Sequence, residues 1–144
     1  MKRQKLSFKL KNDASELDRL CQQLTNFGNT FGLSQKFIFQ INLALDELFT
    51  NIISYGYKDK GEHLIKFAIS CEDGTVVIRI EDSGVPFDVA EFEVADPKKT
   101  LEDCRVGGLG LHLIRKLMDE IKYRRTDDKN IVILKKNVEQ KNDG

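Results

Sequence analysis

One apolar stripe with two polar residues inside it constrains the fold of this chain more than any other feature. Apolar residues recur at helical spacing from Phe37 to Ile52, after Ser34, which can act as the N-cap. Glu47 and Asn51 stand within this helix, four residues apart. Because residues i and i+4 of a helix lie on one face, their carboxylate and carboxamide point the same way. The stripe therefore predicts a long helix that carries a polar site.

Two shorter elements precede this helix. Residues 6–10 alternate apolar and polar side chains, a period of two that predicts a short strand. Residues 12–15 can cap a further helix, in which apolar residues recur every three or four positions from Leu17 to Phe27. Gly28 follows directly and is expected to end that helix.

The second half of the chain mixes strand and helix patterns. Residues 65–69 and 76–80 alternate on either side of a turn at 72–74, which predicts a β-hairpin. Residues 111–121 carry a helical stripe, and residues 131–134 form an apolar run typical of a buried strand. Residues 122–125 are expected to lead away from the helix.

Strand and helix patterns segregate along the chain and do not alternate strictly. Such an order predicts an α+β fold, a two-layer sandwich in which a mixed, mostly antiparallel sheet carries helices on one face. With 144 residues, the chain is long enough to form one domain with a core. We assign this domain to residues 6–136 and expect residues 137–144 to form a flexible tail.

Charge and cysteine content disfavour several classes of function. Lysine plus arginine and aspartate plus glutamate number 23 each, so the formal net charge is zero. We therefore expect no binding of nucleic acid or of an anionic membrane surface. We expect neither a secretion signal nor a membrane span. Its three cysteines match neither a disulfide framework nor a paired metal site, which favours a reducing cytoplasm.

The polar residues of the long helix and a glycine cluster have the chemistry of phosphoryl transfer. Gly107, Gly108 and Gly110 open a helical pattern, where backbone N–H groups can approach a phosphate closely. The carboxamide oxygen of Asn51, together with water, suits Mg²⁺. Glu47, one turn earlier, is placed to act as a general base on an attacking hydroxyl.

A second polar motif ends the predicted strand at 76–80. Asp82 can accept a hydrogen bond from an exocyclic amine such as that of adenine, and Gly84 leaves room for the edge of the ring. This pair would favour adenine over guanine. Each motif alone has a simpler explanation: a polar helix flank for Glu47 and Asn51, and a turn or helix entry for the others. Their joint order supports a nucleotide site.

The chain resembles the GHKL ATPase superfamily, whose ATP-binding domain is called the Bergerat fold. The resemblance rests on residues 46–51, 82–88 and 105–111, in this order and at similar spacing, and it covers nearly the whole chain. Within the superfamily, the three motifs and the short length are similar to those of bacterial anti-sigma factor serine/threonine kinases.

This resemblance implies a role for each matching residue. Glu47 is implied as the catalytic base and Asn51 as the Mg²⁺ ligand. Arg105 is implied to reach the β- and γ-phosphates of ATP from the end of a mobile lid over residues 88–106. The full set of implied nucleotide contacts is Asn51, Asp82, Gly84, Phe87, Arg105, Gly107, Gly108, Leu109 and Gly110.

The resemblance also implies partners. The expected phosphate acceptor is a Ser or Thr of a STAS-type anti-sigma factor antagonist, and the kinase, as a homodimer, sequesters a sigma factor. One position departs from the pattern: relatives usually carry a Gly-Thr pair before the last strand, where this chain has residues 128–131 with the sequence Asp-Lys-Asn-Ile. A nucleotide-gated interaction module with little catalysis, or a histidine-kinase-like ATPase domain, are the alternatives.

Overall fold

Five strands and two long helices form the part of the chain described by the structure, a computed structural model covering residues 4–59, 61–86 and 113–138. In chain order the elements are β1 (Gln4–Lys11), a 3₁₀ turn (Ala14–Glu16), α1 (Leu17–Phe31), α2 (Gln35–Tyr55), β2 (Leu64–Glu72), β3 (Thr75–Asp82), β4 (Glu120–Thr126) and β5 (Lys129–Asn137). Residues 113–117 are also helical.

The strands form one sheet in the order β1-β2-β3-β5-β4, and each of its four pairings is antiparallel. One face of the sheet is apolar and packs with α1 and α2 into a single core. Phe67 on β2 shows this packing, because its ring lies 6.0 Å from that of Phe49 on α2. The predicted α+β sandwich with helices on one face is confirmed, although the sheet in the described residues is antiparallel throughout and not mixed.

The long helix predicted from the apolar stripe is α2. Its N-cap is Ser34, whose hydroxyl accepts a hydrogen bond from the backbone N–H of Phe37 at 3.1 Å. The helix continues to Tyr55 and is followed by Gly56, whose N–H donates to the carbonyl of Ile52. The predicted cap, and a helix carrying both Glu47 and Asn51, are confirmed.

The first helix does not end where its sequence suggested. The expectation that Gly28 terminates α1 is wrong, because the helix continues to Phe31 and ends at Gly32 in the left-handed region, at a φ of 66°. Gly28 is needed for packing instead. A Cβ atom there would collide with the side chain of Ile38, so the glycine lets α1 approach α2 closely.

Two tight hairpins shape the sheet. The predicted β2–β3 hairpin is confirmed, and it turns at Asp73 and Gly74 with φ values of 51° and 78°. The β4–β5 hairpin turns at Asp127 and Asp128, also with positive φ. This second hairpin was not expected, and the prediction of one helix over residues 111–121 is wrong at its end. Helical residues stop at 117 and β4 starts at Glu120.

Among the helices that the structure describes, none has both the length and the hydropathy of a membrane-spanning segment. The last strand, β5, continues to Asn137, one residue past the predicted end of the domain, and the N–H of Val138 donates to the carbonyl of Gly74 at 2.8 Å.

Candidate functional site

A polar cluster with two buried members, Asp82 and Asn130, interrupts the apolar face of the sheet at one end of β3. Val76, Ile78 and Ile80 point into the core, and Asp82 continues the same alternation with only 3% of its surface exposed. Its carboxylate therefore faces the layer between the sheet and the helices. We call the cluster formed by Asp82 with Tyr123, Arg125 and Asn130 the polar corner.

Asn130 lies directly opposite Asp82 on the neighbouring strand and is fully buried. Its side-chain N–H₂ donates to Asp82 Oδ1 at 3.0 Å and to the carbonyl of Val85 at 2.9 Å. Its own Oδ1 accepts from the hydroxyl of Tyr123 at 2.6 Å and from Arg125 Nη1 at 3.0 Å. Both ends of the amide are thus held by hydrogen bonds.

The two oxygens of the Asp82 carboxylate differ in their surroundings. Oδ1 accepts from the backbone N–H of Gly84 at 2.8 Å and from Asn130. Oδ2 is buried and has no hydrogen-bond partner among the described residues. Burial raises the pKa of Asp82, and the hydrogen bonds from Asn130 and Gly84 act in the opposite direction. A buried carboxylate oxygen without a donor is costly, and a bound N–H group would relieve that cost.

Gly84 joins the polar corner to the end of α2. A Cβ atom at Gly84 would collide with the carbonyl oxygen of Gly56, the residue that follows the helix. The next residue, Val85, donates its N–H to the same carbonyl at 2.6 Å. On the other side, Arg125 Nη1 donates to the carbonyl of Gly84 at 2.9 Å. This glycine therefore allows a close contact between two elements of the site.

The predicted catalytic pair lies on α2 near this contact. Asn51 is buried, with 9% of its surface exposed, and Glu47 is half-buried. At 1.5 Å of rise per residue, Asn51 precedes Gly56 by about 7–8 Å along the helix axis. Gly56 in turn contacts Gly84, so Asn51 lies on the part of α2 that leads to the polar corner.

A second acidic residue of α2 is also unusual. Asp46 has a buried Oδ1 without a hydrogen-bond partner in the part of the chain that the structure describes. Burial, and next the charge of the adjacent Glu47, raise the pKa of Asp46 to about 6.

The remaining predicted site residues lie outside the residues that the structure describes. They are Phe87, Arg105, Gly107, Gly108, Leu109 and Gly110, together with the lid over residues 88–106. Their roles stay predictions, as do those of Glu47, Asn51, Asp82 and Gly84.

Sequence reasoning missed three members of the polar corner. Residues 128–131 were noted only for the absent Gly-Thr pair, and Tyr123 and Arg125 were assigned to no strand. Asn130 could have been found from the alternation of β5. It lies two residues before Val132 and four before Leu134, which are both buried, so this alternation places the polar side chain of Asn130 at a core position.

The polar corner suits the base of an adenine nucleotide. The unpartnered Oδ2 of Asp82 only accepts hydrogen bonds when the carboxylate is ionised, so it fits an amine and repels a carbonyl oxygen at the same place. For a metal, the described residues contain no group of three or more His, Cys, Asp or Glu side chains that could hold an ion. Asn51 could supply one oxygen to Mg²⁺, which commonly takes its other ligands from phosphates and water.

A family model and several known proteins are similar to this chain. The family model described as "histidine kinase-like ATPase domain" matches residues 10–136. The Serine-protein kinase RsbW of Oceanobacillus iheyensis is 30% identical over 103 residues, which cover 69% of this chain and 65% of that protein, just under two thirds of its length. The RsbW of Bacillus thuringiensis is 27% identical over 140 residues, or 92% of this chain and 84% of that protein.

A solved structure shares the fold. It contains the RsbU and RsbW domains of a Mycobacterium tuberculosis protein and matches with a TM-score of 0.67 at 17% identity. The match covers 94% of this chain and 32% of that longer one.

Proposed function

This chain belongs to the histidine kinase-like ATPase family, also called GHKL, and from that membership we propose that it is an ATP-dependent protein serine/threonine kinase. Its proposed substrate is a STAS-type anti-sigma factor antagonist, and its proposed second partner is a sigma factor that it sequesters. We place it in the cytoplasm as a homodimer. The relatives named serine-protein kinase support the choice of a serine acceptor.

The observation that carries the proposal is the buried, unpartnered Oδ2 of Asp82. The surrounding hydrogen bonds occupy the other oxygen of this carboxylate, so the polar corner has one acceptor left at a defined place. Adenine offers an amine as donor, whereas guanine offers a carbonyl oxygen at the corresponding position of its ring. The site therefore favours ATP as the phosphate donor.

The catalytic part of the proposal rests on α2. ATP supplies the phosphoryl group, and Asn51 would hold the Mg²⁺ that accompanies its phosphates. Glu47 lies one turn away, so it is placed to take the proton of an attacking serine or threonine hydroxyl. A positioned general base typically contributes about 10²–10⁴-fold to such a step.

Label transfer tests the proposal. The protein is incubated with γ-labelled ATP, Mg²⁺ and each STAS-domain protein of the same genome, and we expect label on a Ser or Thr of one of them. Glu47→Gln should keep ATP binding and lose about 10²–10⁴-fold in transfer rate. Glu62→Gln, which changes an exposed glutamate paired with Lys11, is the matched control.

The absence of label on every STAS-domain candidate would contradict the kinase assignment. A Glu47→Gln variant that transfers phosphate at the wild-type rate would instead contradict the assignment of Glu47 as the catalytic base.

The departure at residues 128–131 keeps one alternative, a nucleotide-gated interaction module with little catalysis. Partner affinity measured with ATP, with ADP and without nucleotide distinguishes the two. A switch in affinity without phosphate transfer would favour the module.

A further inference from the structure

We propose that Asn130 is the positioning residue that sets base selectivity: it fixes the Asp82 carboxylate so that only Oδ2 faces the nucleotide. The inference rests on the proposed ATP site and concerns how this chain holds the carboxylate proposed to read the base. Asn130 makes no proposed contact with the base. It acts through Asp82, with its own orientation held by Tyr123 and Arg125.

The first step is the orientation of the Asn130 amide. Two donors, the Tyr123 hydroxyl at 2.6 Å and Arg125 Nη1 at 3.0 Å, converge on one end of the side chain. An amide oxygen can accept both, whereas an amide nitrogen can accept neither. The oxygen must therefore face Tyr123 and Arg125, and the nitrogen must face Asp82.

The second step is the effect on Asp82. The Asn130 nitrogen donates to Asp82 Oδ1, and the N–H of Gly84 donates to the same oxygen. Two donors on one oxygen oppose rotation of the carboxylate about its Cβ–Cγ bond. The orientation of Oδ2 is thereby fixed, and this oxygen remains free to accept a hydrogen bond from a ligand.

The third step concerns charge around the carboxylate. Arg125 on β4 favours the ionised form of Asp82, Glu81 on β3 disfavours it, and the ring of Tyr57 lies close enough to feel its charge. The hydrogen bond from Asn130 lowers the pKa of Asp82 against the dominant effect of burial. Loss of that bond should raise this pKa, so binding that needs the ionised carboxylate would fail at a higher pH than in the wild type.

A purely structural role would not require these contacts. An apolar residue at the position of Asn130 would pack against the core without the desolvation cost of a fully buried amide. The amide is satisfied at both ends, and its donor end is directed at the residue proposed to read the base. This is the pattern of a preorganised binding site.

Nucleotide selectivity tests the inference. Calorimetry measures the Kd of ATP and of inosine triphosphate, which carries a carbonyl oxygen in place of the adenine amine, with Mg²⁺ from pH 5.5 to 8.5. The unmodified protein is compared with Asn130→Ala, Asn130→Asp and Tyr123→Phe. The matched control is Asn137→Asp, which changes an exposed asparagine on the same strand.

We expect the wild type to prefer ATP and Asn130→Ala to lose about tenfold of that preference, the size expected for a hydrogen bond to a charged group. Asn130→Asp places a second carboxylate beside Asp82, so the pH at which ATP binding is lost should rise further than in Asn130→Ala. Tyr123→Phe removes only the hydroxyl and should lose about threefold. Asn137→Asp should behave as the wild type.

The inference is overturned if Asn130→Ala, folded by circular dichroism, keeps the wild-type preference and pH profile. Should that variant not fold, Tyr123→Phe decides in the same way. A wild type that binds both nucleotides equally would instead remove the proposed adenine site itself, and the inference with it. The two failures are therefore distinct.

Discussion

The inward face of the β3–β5 pair is apolar at its centre and polar at one end. At the centre, Ile78 lies opposite Leu134, and both are fully buried. Four pairs further along, on the same face, Asp82 lies opposite Asn130, with exposures of 3% and 0%. The same strands in the same register thus bury two kinds of residue to nearly the same extent.

This difference distinguishes the residues that stabilise the fold from those that we expect to bind a ligand. Burial of the central residues removes apolar surface from water and stabilises the folded chain. Burial of the polar corner costs desolvation, which hydrogen bonds offset at every atom of the Asn130 amide but not at Asp82 Oδ2. Stability alone would favour apolar residues in both places, so the polar corner is best explained by binding.

The largest expected effect is on stability, at the apolar centre. Ile78→Ala should lower the free energy of unfolding by about 3–4 kcal/mol, because it leaves a cavity in a close-packed core. Denaturant unfolding measures this, and the preference for ATP over inosine triphosphate should stay unchanged. If selectivity fell in proportion to stability, the two regions would not be separable.

The next effect is on binding, at the polar corner. Asp82→Asn should weaken ATP binding by about 10–100-fold, because a charged acceptor is replaced by an amide. Since the folded state raises the pKa of Asp82, removal of its charge should not lower stability at pH 7. Titration calorimetry and denaturant unfolding measure the two quantities.

Glu81→Gln is the control for this variant, because Glu81 precedes Asp82 on β3 and pairs with Lys66 and Lys129. Its ATP affinity should stay within about twofold of the wild type, because neighbouring side chains of a strand point to opposite faces and Glu81 therefore points away from the polar corner. Equal losses in both variants would mean that the strand end responds to any change of charge and does not read the base.

The contact that joins the polar corner to α2 should affect stability and binding together. Gly84→Ala forces the chain away from Gly56 and should cost about 2 kcal/mol of unfolding free energy, with an accompanying loss of ATP affinity. In the control, Gly61→Ala, the new methyl group meets the end of the Asp59 side chain, which can move. A Gly84→Ala variant with wild-type stability and affinity would show that the contact is not needed.

The smallest expected effect tests whether Asp46, which like Asp82 has a buried carboxylate oxygen without a hydrogen-bond partner among the described residues, also contributes to ligand binding. Burial raises the pKa of Asp46 to about 6 and so disfavours its ionised form in the folded protein. Asp46→Asn should therefore raise the free energy of unfolding at pH 7 by about 1 kcal/mol, a value that is reduced because the side chain is partly exposed. Between about pH 4 and 6 the folded protein holds a proton that the unfolded chain has released. The Asp46 contribution to stability therefore falls as pH rises through this window.

Denaturant unfolding at pH 7 and below pH 4 measures this effect, which should vanish at the lower pH, where the wild-type carboxyl is neutral in both states. Asp18→Asn, at an exposed aspartate of α1, should change stability by less than about 0.5 kcal/mol. ATP affinity should be unchanged in both variants. A large loss of affinity in Asp46→Asn would extend the ligand site beyond the polar corner.

The sequence was informative where local patterns decide the structure. The helix α2 spans 21 residues and has a side-chain cap at Ser34. The helical spacing of its apolar residues and the position of its cap therefore both indicated the same helix. The turn at Asp73 and Gly74 lies between two alternating runs, which is a local signal for a hairpin.

Other elements depend on contacts between distant residues. β4 is an edge strand with charged residues such as Lys122 and Arg124 facing outward, so its alternation is weak and Ile121 appeared to continue a helix. Gly28 was assigned to a helix end because its contact with Ile38 is invisible in sequence. The pairing of Asp82 with Asn130 joins residues 48 positions apart, which no local motif can reveal.

A crystal structure of the protein with Mg²⁺ and a non-hydrolysable ATP analogue tests the central claim most directly. We expect the amine of adenine to donate to Asp82 Oδ2, with Asn130 still donating to Oδ1 and the metal bound at Asn51. A nucleotide bound elsewhere, or a base whose amine makes no contact with Asp82, would contradict the assignment of the polar corner as the adenine site.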